Sequence, residues 1–258
     1  MTRKLSRLPG PATGPEDEPP NDTGVGPAAA GKAVPPDTGP GLWDANARAW
    51  TRAVRARRIA SRNAGTDAAL LDLLARRAPR RLLDAGCGEG WLIRALRSVL
   101  PDCRAIGIDG APALIAAARA ADPLGCYHLL TYEALAGRSW ISDPVLAERL
   151  ADPLDAVVFN YALFDREITA TLRAARDLLA PDGALVIQSL PPCAPGEEGW
   201  RREDFADFGD SGWVPMRWYA RSRPAWDAAL AEAGLREAGA APADAEAPLS
   251  LLLVAQAI

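Results

Sequence analysis

The sequence predicts an α/β fold, a doubly wound and mainly parallel sheet with helices on both faces. Three observations predict it. Apolar runs of strand length alternate with segments of helical spacing along most of the chain. The first such run stops in a loop with glycine at alternate positions and then opens onto a helix, Asp84-Ala85-Gly86-Cys87-Gly88-Glu89-Gly90-Trp91. The second run ends in an acid, Asp109, about 20 residues further on, the separation at which a strand-end acid reaches the ribose of an adenosine ligand.

In chain order, Leu82 and Leu83 extend an apolar run behind Arg81, and Asp84 ends it. Gly86, Gly88 and Gly90 remove the Cβ atoms that would keep a ligand from the backbone. Trp91 to Leu96 then begins a helix whose free N–H groups face the same space. Arg104 to Ile108 forms the second strand, and Pro112 opens the helix after it. Gly125 to Leu130 is the third apolar run, Leu154 to Tyr161 the fourth and Gly183 to Gln188 the fifth. Between the last two, Glu167 to Ala180 is apolar at Ile168, Leu172, Ala175, Leu178 and Leu179, which is helical spacing. Pro224 to Ala233 reads as a last helix and Leu249 to Ala257 as a final apolar strand.

The glycine loop discriminates between two ligand classes. A dinucleotide fingerprint, G-x-G-x-x-G, places its third glycine where this chain has Trp91. Glu89 also sets a carboxylate where a pyrophosphate would sit. A ligand with a cationic centre and no phosphate meets neither objection.

Asp84, Gly86, Gly88 and Gly90 match the [D/E]-x-G-x-G-x-G motif, and the chain thereby resembles the class I S-adenosylmethionine-dependent methyltransferases of the small-molecule type. Leu179-Ala180-Pro181-Asp182-Gly183 is similar to the family's L-x-P-G-G turn, with Asp182 replacing one glycine, so the likeness runs from about Leu70 to Ile258. It implies a Rossmann-like sheet whose last strand is antiparallel beside the fifth. It implies S-adenosyl-L-methionine as cofactor, with Asp84 holding the methionine ammonium directly or through water. Gly86, Cys87, Gly88 and Gly90 then lie along the methionine and ribose, Asp109 and Gly110 at the ribose, and Asn160 and Tyr161 beside the transferring methyl. Tyr132 and Glu133 stand at the adenine position, where many members have an acid preceded by glycine. Phe159-Asn160-Tyr161-Ala162 departs from the [D/N/S]-P-P-[Y/F] signature of enzymes that methylate nucleobases or glutamine.

Residues 1–41 are crowded with proline and glycine and read as a disordered tail. Residues 42–258 read as one domain, with 42–78 an N-terminal helical lid and 191–223 an insertion on the substrate side. The lid carries an apolar stripe at Trp43, Ala47, Trp50 and Val54, continuing to about Arg62, and a second stripe of Arg48, Arg52 and Arg55. Trp43, Trp50 and Arg55 are expected at the acceptor, with Arg58 an alternative to Arg55 for meeting a carboxylate of substrate or cofactor. In the insertion, Trp200, Phe205, Phe208, Trp213, Trp218 and Tyr219 form an aromatic cluster, of which Trp213, Trp218 and Tyr219 are expected to line the acceptor pocket.

The 258 residues, nearly half hydrophobic, suffice for a full core. A net charge of −4 offers no general pull toward nucleic acid or anionic membrane, and a small-molecule partner is expected instead. No apolar run approaches a membrane span, and Arg3, Lys4 and Arg7 precede no apolar core, so a cytoplasmic enzyme is expected. Cys87, Cys103, Cys126 and Cys193 contain no C-x-x-C pair, consistent with reduced thiols and no metal. His128, Tyr161, Glu197, Glu198 and Asp204 are candidate bases, with none distinguished; His128 sits in an apolar strand, where a hydrogen-bonded core role is expected. The alternatives are an NAD(P)-dependent oxidoreductase, a macromolecule (RNA or protein) methyltransferase, and a cofactor-binding module without activity. The acceptor atom and the oligomeric state are open.

Overall fold

The sheet at the centre of the molecule is built from strands buried on both faces. In a computed structural model, residues 39–209, 212–240 and 249–258 are described, and residues 36–258 make one unit. The tail expected over residues 1–41 lies outside the described residues up to residue 38. Pro40 and Gly41 instead begin the first helix, α1 (Pro40–Arg55), since proline in the first turn has its φ preset and needs no N–H partner.

Strands β1 (Arg81–Ala85), β2 (Arg104–Asp109), β3 (Cys126–Leu129), β4 (Leu154–Asn160) and β5 (Leu179–Ser189) are parallel. With β8 (Leu235–Ala240) and β9 (Leu251–Ala257) they complete a seven-stranded sheet in the order β3-β2-β1-β4-β5-β9-β8. Alternation along β1 sends Leu82 and Leu83 to opposite faces, where each enters a different core cluster. Leu83 joins Ile108, Phe159 and Leu172. Leu82 joins Leu70, Leu92 and Val158. A sheet covered on both sides demands apolar residues at every position, which is why these strands read as continuous hydrophobic runs. The covering helices are α2 (Asp67–Arg77), α3 (Trp91–Val99), α4 (Pro112–Ala121), the short α5 (Tyr132–Ala136) and α6 (Pro144–Arg149), α7 (Thr169–Asp177) and α8 (Arg223–Glu232).

β9 runs antiparallel beside β5, as the family resemblance implies. Three details differ from the sequence reading. α1 stops at Arg55 rather than near Arg62, because Arg57 turns left-handed at φ 54° and Gly65 at φ 128° interrupts the next turn; no proline marks the break. Leu178 and Leu179 leave α7 for the sheet, where the Leu178 carbonyl accepts the Leu154 N–H and Leu179 pairs with Leu154. β8 was not anticipated, since Leu235-Arg236-Glu237 carries the charges of an edge strand. The insertion likewise holds an unanticipated hairpin, β6 (Gly199–Glu203) and β7 (Met216–Ala220).

The loops at the carboxyl ends of β1, β2, β4 and β5 open to one side, under α1. Gly90 shows how tightly that edge is packed: at φ 81° a Cβ would lie 2.8 Å from the Tyr127 ring, and the Tyr127 hydroxyl is held 2.9 Å from Asp122. Gly90→Ala is expected to destabilise the fold by about 1–3 kcal/mol, through left-handed strain and overpacking together. A urea midpoint equal to that of the parent protein would contradict this packing.

Candidate active site

A cavity of about 470 Å³ lies between the glycine loop, α1 and the hairpin insertion. Its floor is backbone. Gly86, Cys87 and Gly88 line it, and both first glycines are needed there. A Cβ on Gly86 would fall 2.5 Å from the Tyr132 hydroxyl and 2.6 Å from Ala162, while Gly88 sits at φ 55°. The loop is braced by the next strand: Asp109 accepts the Gly88 N–H through Oδ2 at 2.9 Å and the Ala111 N–H through Oδ1 at 2.8 Å. Gly110 carries no Cβ because Pro40 presses against it, closing that end of the cavity.

The roof is α1. Asp44 accepts the Ala113 N–H at 2.7 Å, and Trp43, Ala47 and Trp50 pack on Ala111 and Leu114. Trp50 meets Trp43 edge-on at 5.4 Å, and Trp43 stacks on Phe164 at 5.8 Å. Asn46 is fully buried and exchanges two hydrogen bonds of 2.8 Å with the Val214 backbone, tying the roof to the insertion. The wall is the β6–β7 hairpin and its connecting loop, from which Glu203, Phe205, Phe208, Met216 and Trp218 face inward.

The electrostatics centre on buried acids. Asp84 is 1% exposed, one layer behind the loop wall, and neither of its carboxylate oxygens has a hydrogen-bond partner among the described residues. Burial, reinforced by the neighbouring Asp109 charge, pushes its carboxyl up to about 8. Asp109 is also raised by burial, although the Ala111, Gly88 and Gly110 N–H groups oppose the shift. The Cys87 thiol and the Tyr132 phenol are driven up by burial and then by these same acids. Burial likewise holds the Tyr161 phenol above its ordinary range, so it stays protonated near neutrality. Tyr161 adopts a left-handed φ of 51°, a strain the fold tolerates at the cavity edge.

Most expected residues converge here. Gly86, Cys87, Gly88, Asp109, Gly110, Tyr132, Glu133, Asn160, Tyr161, Trp43, Trp50 and Trp218 all line the cavity. Asp84 and Gly90 lie just behind it, and three others point elsewhere. Arg55 bonds Glu89 at 2.8 Å and the Ala117 carbonyl at 3.1 Å, joining the roof to the loop. Trp213 stacks on Phe205 at 4.4 Å as a second layer. Tyr219 packs on Trp200 at 5.5 Å, across the hairpin from Trp218, since neighbours in a strand face opposite ways. Glu89 itself is fully buried and shared between Arg55 and Arg94, so its charge is compensated outside the cavity lining rather than set against a ligand. His128 stands outside the lining too, with Nε2 3.4 Å from the Cys126 sulfur and Nδ1 3.5 Å from Asp143.

Other lining residues escaped the sequence reading. Arg62 lies 4.2 Å over the Trp91 ring and bonds Asp67 through Nε at 2.9 and 3.0 Å. Asp165 and Glu203 contribute carboxylates to the lining. Asn46, behind the lining, carries its own sequence signal, a polar residue three after Trp43 and four before Trp50 on an apolar stripe. The four cysteines are free thiols, and no cluster able to hold a metal occurs among the described residues. No described helix is long and apolar enough to cross a membrane.

Comparison with known proteins agrees with this geometry. The chain is 35% identical over 129 residues to the trans-aconitate 2-methyltransferase of Streptomyces avermitilis, a match covering 45% of this chain and 43% of that relative, so it spans less than half the relative's length. Two solved structures share the fold. The sugar N-methyltransferase KedS8 from Streptoalloteichus sp. has a TM-score of 0.56 at 18% identity, covering 92% of this chain and 99% of that one. The amino pentose methyltransferase CalS10 from Micromonospora echinaspora, solved with S-adenosylmethionine bound, has a TM-score of 0.55 at 22% identity, covering 81% and 97%. Residues 55–236, from the end of the roof helix through the whole parallel sheet, match the family described as the methyltransferase domain, and the chain belongs to that family.

Proposed function

We propose that the protein is an S-adenosylmethionine-dependent methyltransferase acting on a small molecule, a reading carried by Asp84. A fully buried carboxyl with no hydrogen-bond partner among the described residues, beside a second acid, is costly in a free protein and is compensated by a bound cation. The residues present fit the cofactor. Asp84 serves its ammonium, directly or through water. Asp109 keeps a lone pair on each oxygen for the ribose hydroxyls, beyond those used by Gly88 and Ala111. Arg62, at the Trp91 end of the glycine loop, offers a guanidinium for the methionine carboxylate. Tyr132 and Glu133 border the adenine position, and Gly39 and Pro40 cover it.

When bound, this cofactor supplies a methyl group on a sulfonium whose thioether is already a good leaving group. The protein's contribution is therefore positioning and exclusion of water. The indole and phenyl rings of Trp43, Trp50, Phe164, Phe205 and Trp218 enclose the acceptor. Asn160, whose Oδ1 is buried and without a partner among the described residues, leaves an acceptor for a ligand N–H or O–H at the end of β4. Asp165 and Glu203 are the lining carboxylates able to take a proton from the acceptor. The dinucleotide alternative meets Trp91, a cavity-lining indole where that motif needs a third glycine.

These roles have measurable consequences. With the Asp84 carboxyl near 8 in the free protein, its proton must leave as an ammonium binds, so affinity for S-adenosylmethionine rises by about tenfold per unit between pH 6 and pH 7.5. Calorimetry in buffers of different ionisation enthalpy should register that released proton. The same group holds its proton in the folded state above its ordinary 3.8. It therefore contributes stability that is complete below about pH 4 and lost as pH rises through about 8. Asp84→Asn should raise the melting temperature of the free protein near pH 8 and weaken cofactor binding by about 1.5–3 kcal/mol; equal affinity in both proteins would remove Asp84 from the site. On the acceptor side, Trp218→Ala should lower turnover about tenfold or more with cofactor affinity nearly unchanged, whereas Tyr219→Ala, on the outer face, should change turnover less than twofold. Equal losses in both variants would contradict the hairpin's orientation.

A further inference from the structure

We infer that the acceptor is a cationic amine, recognised by Asp165 and Glu203 within the aromatic wall of the cavity. The inference rests on the methyltransferase reading above and adds the acceptor class to it.

Strand alternation and the hydrogen bonds of Arg201 decide which charges of the β6–β7 hairpin reach the cavity. Glu203 is paired with Met216, and these share the inner face with Trp218 and its partner Arg201, whose guanidinium turns away to the Glu197 carbonyl at 2.6 Å and the Trp200 carbonyl at 3.4 Å and does not line the cavity. Arg202 is paired with Arg217, and Trp200 with Tyr219, on the opposite face. Arg217 reaches the cavity edge, but its guanidinium lies 5.0 Å over the Trp200 ring, drawn to the outer side. The hairpin therefore shows the acceptor a carboxylate, a thioether and an indole. Glu203 is held in place, its Oε1 accepting the Phe205 N–H at 2.7 Å.

Asp165 meets the same space from the loop after β4. Its neighbour Phe164 stacks under Trp43, and its own backbone carbonyl accepts from Arg221, so the loop is fixed from both sides. The Asp165 charge is also one of those felt at the Tyr132 phenol, after burial, Asp109, Asp84 and Cys87, which places it in the acidic field above the loop. The other guanidinium of the lining, Arg62, is bonded to Asp67 and stacked on Trp91 at the opposite end. An acceptor thus enters between two carboxylates and the faces of aromatic rings. That surrounding stabilises an ammonium by charge-assisted hydrogen bonds and cation–π contact. It repels a carboxylate or phosphate acceptor by the same Coulomb term.

The chemistry closes with the groups present. The ammonium gives one N–H proton to a wall carboxylate, and the freed nitrogen lone pair forms the new N–C bond. The electron pair of the breaking S–C bond stays on the departing thioether sulfur. The resulting carboxylic acid then returns its proton to solvent.

The test uses the full chain loaded with S-adenosylhomocysteine, whose binding is first measured by calorimetry. Quenching of the lining indoles Trp43, Trp50, Trp91 and Trp218 is then titrated with three probes of one skeleton: phenethylamine, 2-phenylethanol and 3-phenylpropionate. Phenethylamine should saturate at a concentration about tenfold or more below either of the others, and D165N/E203Q should erase that preference while still binding S-adenosylhomocysteine. The single variants D165N and E203Q, each with part of the preference lost, serve if the double variant does not fold. Equal or tighter binding of 3-phenylpropionate, saturation by none of the three, or an amine preference that survives the substitutions would overturn the acceptor class. Failure of S-adenosylhomocysteine to bind would instead overturn the methyltransferase reading itself.

Discussion

Two hydrogen bonds between the Asn46 amide and the Val214 backbone join the first helix of the fold to the hairpin near its end, and the cavity exists because of that junction. The two segments are 168 residues apart in the chain, yet the amide between them is fully buried. A polar group so placed must keep both partners, since stranding one costs about 1–3 kcal/mol. Roof and wall are thereby coupled energetically. The contacts around them follow the same logic: Asp44 caps α4, Arg55 reaches Glu89 in the glycine loop, and Trp43 stacks on the loop after β4. Each links the roof to a different strand end, so one helix closes a site assembled from most of the sheet.

Beneath that roof the fold carries features that work against its stability. Asp84 is buried without a partner among the described residues, Asp109 stands half-buried next to it, and Tyr161 is held left-handed at the end of β4. Core positions only a few ångströms away, such as Leu83 and Phe159, show none of this and are simply packed. Unfavourable groups gathered along one cavity, in an otherwise consistent fold, mark where selection acted on binding rather than on folding. The two acids among them become favourable when a cation is bound beside them.

How far the sequence could be read depended on how local the determining interaction was. β1 and β4 were legible because burial on both faces leaves an unbroken apolar run, Gly86 and Gly90 because backbone that approaches Tyr132 and Tyr127 so closely admits no side chain, and Gly88 because its φ of 55° favours glycine. The break after Arg55 was not, because Arg57 adopts its left-handed turn without a glycine or proline to announce it. Nor was the β6–β7 hairpin, whose alternating aromatic and charged residues look alike until a register assigns Trp218 to one face and Tyr219 to the other. Glu89 misled for a related reason: its charge argued against a phosphate ligand until Arg55 and Arg94 were seen to neutralise it outside the cavity.

By itself the sequence determined the strand, glycine loop and acid pattern of a methyltransferase domain, because hydrophobic period, missing Cβ atoms and acid spacing are properties of neighbouring residues. Tertiary structure alone decided which of these side chains face the cavity. Arg62, Asp165 and Glu203 reach the cavity, and Arg55, Trp213 and Tyr219 do not, through pairings that the sequence pattern does not announce. A side chain's role there is set by the partner that claims its charge or its face, and that partner is chosen by packing in three dimensions.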